Sequence, residues 1–403
     1  MFHKQGPFAL ALLILAVIAG LAGMGFHLIL EAVQLLIYHS HDLVGLSNVS
    51  QPYLFIVLIL TGFIMAVIWY QLQKNEALIS VKAQLLPKDE REEKPSMVKH
   101  TLHILTQVVS VSLGSPIGKE AAPREFGALA ASHLANRFNL SAQERKLLVA
   151  SGAAGLAAIY QVPIASVFFA LETLGIAWGV KNLIFLLLAT EIATQTAHLI
   201  ISDQAIYSLE TISTSWQNIL LAICLVIIIT PLAYIFNIWS KKVGQKKIKD
   251  KRILWALPLT FILLAFVTIY FPEIMGNGEA MATRIIAGQP WHRVLFLILI
   301  KAVMVLLVLS SGAYGGTLTP SFALGLALAY LLVTPFLPAL AGSAMVLGAL
   351  IFLATSMQAP LTALFLVIGF TGQGLSAYPI LVLTVGLTRL YQDFFIKRWL
   401  FKD

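Results

Sequence analysis

Apolar residues run through this chain in long blocks, and polar residues serve as short punctuation between them. Apolar segments fall at 8–37, 53–71, 101–113, 126–137, 145–159, 163–178, 181–201, 214–239, 253–271, 293–310, 318–338, 344–357, 360–371 and 377–396. A helix that crosses a bilayer needs about 20 residues. The first block is too long for an upright span and several others are too short for any span. This mixture predicts tilted long helices combined with half-helices, not a serpentine bundle. Discontinuous helices that meet near the membrane midplane mark transporters and channels. The expected fold class is an all-α polytopic membrane protein of tilted and discontinuous helices.

Composition agrees. The 403 residues are 59% hydrophobic and 11% charged, against about 25% charged in an ordinary soluble domain. The net charge of +8 does not point to nucleic acid, because the basic residues gather in loops between apolar blocks. One cysteine, Cys224, leaves no intrachain disulfide. The first apolar block runs far past the roughly 7–15 residues of a signal-peptide core, so it reads as a membrane helix. Lys241–Arg252 carries seven basic residues and one acidic, and the tail carries Lys397, Arg398 and Lys402. Both are expected in the cytoplasm. The basic run could also meet anionic lipid, but a topogenic role is the plainer reading. The mixed-charge loop 71–100 is expected on the same side, and the loop 39–51, without Lys or Arg, outside. One transmembrane domain over 1–403 is expected, with halves near 1–205 and 206–403 and no soluble module after residue 396.

Three Gly-rich breaks interrupt the apolar pattern: 114–122, Gly276-Asn277-Gly278-Glu279, and 312–320. Each precedes a helical pattern. Free N–H groups and the macrodipole at a helix N-terminus favour anions. Any one glycine is more simply a close-packing position between helices, but the three breaks together favour a site. The segment 112–130 echoes 310–325, and 151–163 echoes 354–360, which points to a site at a repeat interface. Charges at membrane depth are costly and usually functional, so Lys119, Glu120, Arg124 and Glu125 stand out. Glu120, at the head of a helix, can occupy an anion's place when ionised and vacate it when protonated, acting as gate and proton carrier. Arg124 and Glu125 suit a supporting role as first-turn charges near the surface. Glu172 ends an apolar helix and serves as a boundary residue or on a proton path. Glu191 is the most isolated charge, a paired buried acid or an interfacial one.

G-K-E-A-A-P (118–123), S-G-A-A-G-L-A-A-I-Y-Q-V-P-I-A (151–165), S-G-A-Y-G-G-T-L-T-P (311–320) and Q-A-P-L-T-A (358–363) resemble, in order, motifs of the CLC family of chloride channels and chloride/proton antiporters. The resemblance spans roughly residues 8–395. It implies a homodimer with one anion pore per subunit, each built from two inverted halves. It also implies that Glu120 is the external gating glutamate and that the amides of Thr317 and Leu318 face the central anion. The anion-binding set becomes Gly118, Lys119, Glu120, Gly316, Thr317 and Leu318. Four departures follow. The family's pore-serine motif is not recognisable, and Ser80 is the nearest match. Ala121-Ala122-Pro123 replaces Gly-Pro after the gate. Thr173 stands where many antiporters carry an internal proton-transfer glutamate, with Glu172 beside it. The pore tyrosine has no clear counterpart: Phe401 is near the spacing and Tyr391 does not match. A site without that serine and tyrosine is expected to be wider towards the cytoplasm, or selective for an anion other than chloride.

The expected function is transport of a small monovalent anion, chloride first, in exchange for protons, by an integral protein of a bacterial inner membrane. Competing readings are a passive chloride channel, favoured by Thr173, and a fluoride/proton antiporter, favoured by the altered serine motif. An intramembrane enzyme is the reading from another class. His39 with His41 and His100 with His103 invite a metal, but they sit at ordinary interfacial places, and there is no H-E-x-x-H or G-x-S-x-G. No cofactor or metal is expected; the partners are the anion, protons and the lipid bilayer.

Overall fold

A computed structural model describes residues 6–46, 49–74, 78, 80–86 and 96–400, without the side chains of 397, 399 and 400. Phe401 lies outside the described residues. Seventeen α-helices are described. The first nine are α1 (Gly6–Tyr38), α2 (Gln51–Gln73), α3 (Val81–Gln84), α4 (Met97–Ser112), α5 (Ala121–Arg137), α6 (Ala142–Ser151), α7 (Ala154–Tyr160), α8 (Pro163–Glu172) and α9 (Val180–Ala197). The rest are α10 (Trp216–Gln245), α11 (Ile253–Tyr270), α12 (Glu279–Ile286), α13 (Trp291–Ser310), α14 (Leu318–Val333), α15 (Ala341–Met357), α16 (Pro360–Thr371) and α17 (Tyr378–Tyr391). Seven described helical segments are long and apolar enough to cross a membrane. At 1.5 Å per residue, α1 is about 50 Å long, so it must tilt in a hydrocarbon layer of about 30 Å. The chain is an integral membrane protein, all-helical as its apolar pattern predicts. The structure cuts one predicted segment: 145–159 is two helices, α6 and α7, because Gly152 and Ala153 turn the chain between them.

The chain forms two compact units. The first holds 1–32, 68–109 and 119–203; the second holds 33–67, 110–118 and 204–403. In the first unit, Ala19, Ala154, Ala158, Ala193, Ala197 and Ile201 form a tight core. Small residues let these helices approach closely where lipid supplies no hydrophobic drive. In the second unit α14 and α15 are buried along nearly their whole length, which explains why their sequences are apolar all round.

Local geometry repeats between the units. α7 ends at Gln161 and α15 at Gln358, both left-handed (φ 54° and 56°). Each glutamine's Nε2 donates to the carbonyl three residues back, Ala158 and Thr355. Each is followed by a residue kept out of the α region by the proline after it, then Pro163 or Pro360 at the first turn of the next helix, where a missing N–H costs nothing. A Cβ on Gly127 would lie 2.4 Å from the Gly152 carbonyl, and one on Gly325 2.4 Å from that of Gly348. The same two-helix crossing is thus built once in each unit.

Candidate functional site

In the second unit the three breaks are tied together by backbone. Gly114 (φ 103°) and Gly312 (φ 114°) each close a helix with the same turn. Gly114 and Ser115 donate to the carbonyls of Val111 and Ser110, and Gly312 and Ala313 to those of Leu309 and Val308. Only glycine takes such a φ without strain. Four residues on, Gly118 and Gly316 exchange both backbone bonds, Gly118 N–H to the Gly316 carbonyl at 2.7 Å and the reverse at 3.0 Å. Equivalent positions of the repeat therefore pair with each other. The middle break joins through Gly276 N–H, which donates to the Gly114 carbonyl at 3.1 Å. Two further groups brace the cluster. Tyr38 Oη donates to the Leu113 carbonyl. Lys301, fully buried in the middle of α13, donates from Nζ to the carbonyls of Ile274 (2.9 Å) and Gly276 (2.6 Å).

α14 starts at this cluster. Its first backbone bond runs from Ser321 N–H to the Thr317 carbonyl, so the amides of Thr317 and Leu318 precede the helix ladder and have no acceptor within it. Leu318 is buried, while the run from Tyr314 to Thr317 is partly accessible. The hydroxyls of Ser115 and Ser321 are fully buried with no protein hydrogen-bond partner among the described residues. Donors of this kind suit an anion.

In the first unit Glu120 precedes α5 and is completely buried. Its carbonyl accepts from Arg124 Nε at 2.7 Å, and the Arg124 guanidinium stacks over Phe169 at 4.6 Å. Lys119 lies over the Tyr160 ring at 5.6 Å. Glu125 accepts from Gln107 Nε2 at 2.6 Å and lies 3.4 Å from Nε2 of His103, which is 3% exposed. Arg124 and Glu125 are therefore half-buried first-turn charges of α5, each in contact with a neighbouring helix. His103, in the second turn of α4, is buried beside Glu125. α5 itself is held by glycine: a Cβ on Gly155 of α7 would lie 2.1 Å from the Pro123 carbonyl.

The other candidates fall as follows. Ser80 is exposed and caps the four-residue α3, its Oγ accepting from Ala83 N–H. Glu172 ends α8, and Thr173 follows as its C-cap. Glu191 lies on the outer face of α9, where Gln195 Nε2 donates to it. Sequence reading missed Lys301, Ser115 and Ser321. A lone lysine inside the apolar block 293–310 was the available signal for Lys301, by the same membrane-depth argument that singled out Glu120.

Long apolar helices combined with short ones, and three Gly-rich breaks tied together by backbone in the second unit, fit the channel or transporter class that the apolar pattern predicts. The family model described as voltage gated chloride channel matches residues 61–392, and the chain belongs to that family. A relative, the voltage-gated ClC-type chloride channel ClcB of Escherichia coli O17:K52:H18, is 30% identical over 240 residues, 56% of this chain and 55% of ClcB. The chain thus spans about half the length of the curated relatives it matches. Two solved structures share the fold. A slow cyanobacterial Cl−/H+ antiporter has TM-score 0.80 and 18% identity, covering 96% of this chain and 94% of that one. A CLC-type fluoride/proton antiporter has TM-score 0.74 and 21% identity, covering 96% and 95%.

Proposed function

We propose that this protein moves a small monovalent anion, chloride first, across a bacterial inner membrane in exchange for protons. The observation that carries the reading is the tied cluster of three breaks at the start of α14. It fixes the Thr317 and Leu318 amides without a full positive charge on either, so an anion can bind and still leave. Gly118 and Gly316 bring the backbone close, Lys119 adds a positive charge, and Glu120 is the gate and proton carrier. A buried carboxylate at a helix head competes with an anion when ionised and yields its place when protonated. Glu172 is the candidate for relaying protons onward, and Ser80 the candidate pore hydroxyl. The working form is a homodimer with one path per subunit and its C-terminus in the cytoplasm.

A passive channel is the second reading, and Thr173 favours it, since a hydroxyl cannot carry a proton at neutral pH. Fluoride/proton exchange is a variant of the first reading, favoured by the altered serine motif. Purified protein in liposomes separates them. Chloride, fluoride or nitrate efflux that drives proton uptake supports exchange; anion flux indifferent to a proton gradient supports the channel. If no monovalent anion moves, the proposal fails.

A further inference from the structure

A pocket of about 540 Å³ opens in the first unit, where the first turn of α1, the start of α6 and the link from α8 to α9 meet. Small-molecule sites span about 300–1,000 Å³. Phe8, Leu147 and Ile176, all buried, form an apolar wall, and the Phe8 ring meets Phe185 of α9 edge-on at 5.0 Å. Two lysines from different helices line the same space, Lys146 of α6 and Lys181 of α9. Both are exposed, and neither has an ion pair or hydrogen bond among the described residues. The one carboxylate among the described lining residues is Glu144. It is held at its own helix end, where Oε2 accepts from the Ser141 N–H at 3.0 Å and the Ser141 hydroxyl at 2.7 Å. Two cations against one carboxylate leave one net positive charge. The pocket also lies at a membrane surface. α1 is long and apolar enough to span, and Phe8 is its third residue. Trp178 and Val180, beside Lys181, are 61% and 78% exposed, and an exposed tryptophan at a helix entry marks headgroup level.

We infer that this pocket binds the headgroup of an anionic phospholipid, with Lys146 and Lys181 on its phosphate. A phosphodiester carries one negative charge, which matches the pocket's one positive charge. Basic pockets between membrane helices take anionic headgroups in this way. The apolar wall favours a lipid over a soluble phosphate: the lysines alone would serve the phosphate, whereas Phe8, Leu147 and Ile176 face the glycerol and the start of the acyl chains. Lysine stems can lie along that wall while their ammonium groups stay at the phosphate. Binding here requires only that the chain sits in a bilayer, and it stands whether or not the protein moves an anion.

The test counts the lipid that stays on the protein. The full chain in mild detergent is titrated with palmitoyl-oleoyl phosphatidylglycerol, and bound lipid is read by native mass spectrometry. One phosphatidylglycerol per chain should be retained under conditions that strip phosphatidylcholine of the same acyl chains. One basic residue near an anionic headgroup changes affinity about fivefold, so Lys146→Gln or Lys181→Gln should weaken binding about fivefold and the pair about thirtyfold. Glu144→Gln keeps the capping pattern, which accepts glutamine at this position, and should tighten binding. Lys246→Gln with Lys249→Gln, both exposed on the basic segment 241–252, should leave it unchanged. Each variant should melt like wild-type protein when no lipid is added, because none of the four lysines is buried. Equal retention of phosphatidylcholine, or an equal loss from the 246 and 249 pair, overturns the inference. Inorganic phosphate that displaces the lipid from wild-type protein and binds as tightly would assign the pocket to a soluble anion and overturns it too.

Discussion

Adding one methyl group at Gly155 should displace Glu120, the proposed gate, without touching it. Gly155 lies in α7, opposite the first turn of α5. An alanine Cβ there would lie 2.1 Å from the Pro123 carbonyl oxygen, 2.5 Å from its carbon and 3.2 Å from Arg124 N. Ordinary contact begins at 3.4 Å, so the helices must separate by about 1.3 Å. All three opposing atoms are backbone, so no rotamer change relieves the clash. Overpacking by a methyl group costs about 1–3 kcal/mol, and a rigid backbone neighbour puts this site at the upper end. Replacing a helical glycine by alanine returns about 1 kcal/mol. The net expectation is a loss of about 2 kcal/mol, read as a fall of several degrees in the apparent melting temperature in detergent. The functional loss should be larger. Glu120 is the residue immediately before the first turn of α5, and a shift of about 1 Å in a positioned group can cost a factor of about 100 in rate. Anion flux should fall at least tenfold. Gly25→Ala in α1 is the control, because no atom lies within 4 Å of its added Cβ; its melting temperature should be equal or higher and its flux unchanged. Gly155→Ala with wild-type melting and flux would refute the claim that this crossing positions the gate.

Three further substitutions probe the supports. Lys301→Met removes two charge-assisted bonds, about 1.5–3 kcal/mol each, but also removes a buried ammonium whose desolvation costs several kcal/mol. A net loss of about 1–3 kcal/mol is expected by thermal melting, and a gain would mean that desolvation outweighs the bonds. Arg293→Leu strips Glu273 of a paired contact at 2.9–3.1 Å. With Arg293 one-third exposed, about 1–2 kcal/mol should be lost after allowing for solvent screening, and the double substitution with Glu273→Gln should recover part of it. Ser141→Ala breaks the capping box with Glu144 and should cost about 1 kcal/mol without changing anion flux; reduced flux would show that α6 is not merely scaffold.

Much of the fold is legible in the apolar pattern, because span length is set by the bilayer and half-helices betray themselves by being short. The breaks are legible because glycine and proline punctuate them. Their mutual hydrogen bonds are not, since a residue such as Gly118 carries no side chain to advertise its partner Gly316. Glu120 is found as a charge in a costly place, whereas Lys301 obeys the same rule and is passed over because no motif surrounds it. The contacts that Arg124 and Glu125 make with Phe169 and His103 are not legible, because those partners lie on other helices. Helix α12 is legible only as the helical pattern after the second break, since eight residues with Glu279 and Arg284 among them make no apolar block.

The central claim is that Glu120 couples anion movement through this fold to protons. The direct measurement is simultaneous recording of chloride and proton fluxes from liposomes holding wild-type protein or Glu120→Gln. Wild-type protein should take up protons against a pH gradient as chloride leaves, and Glu120→Gln should move chloride at an altered rate with no proton uptake. Proton and chloride fluxes that are identical in the two proteins would contradict it.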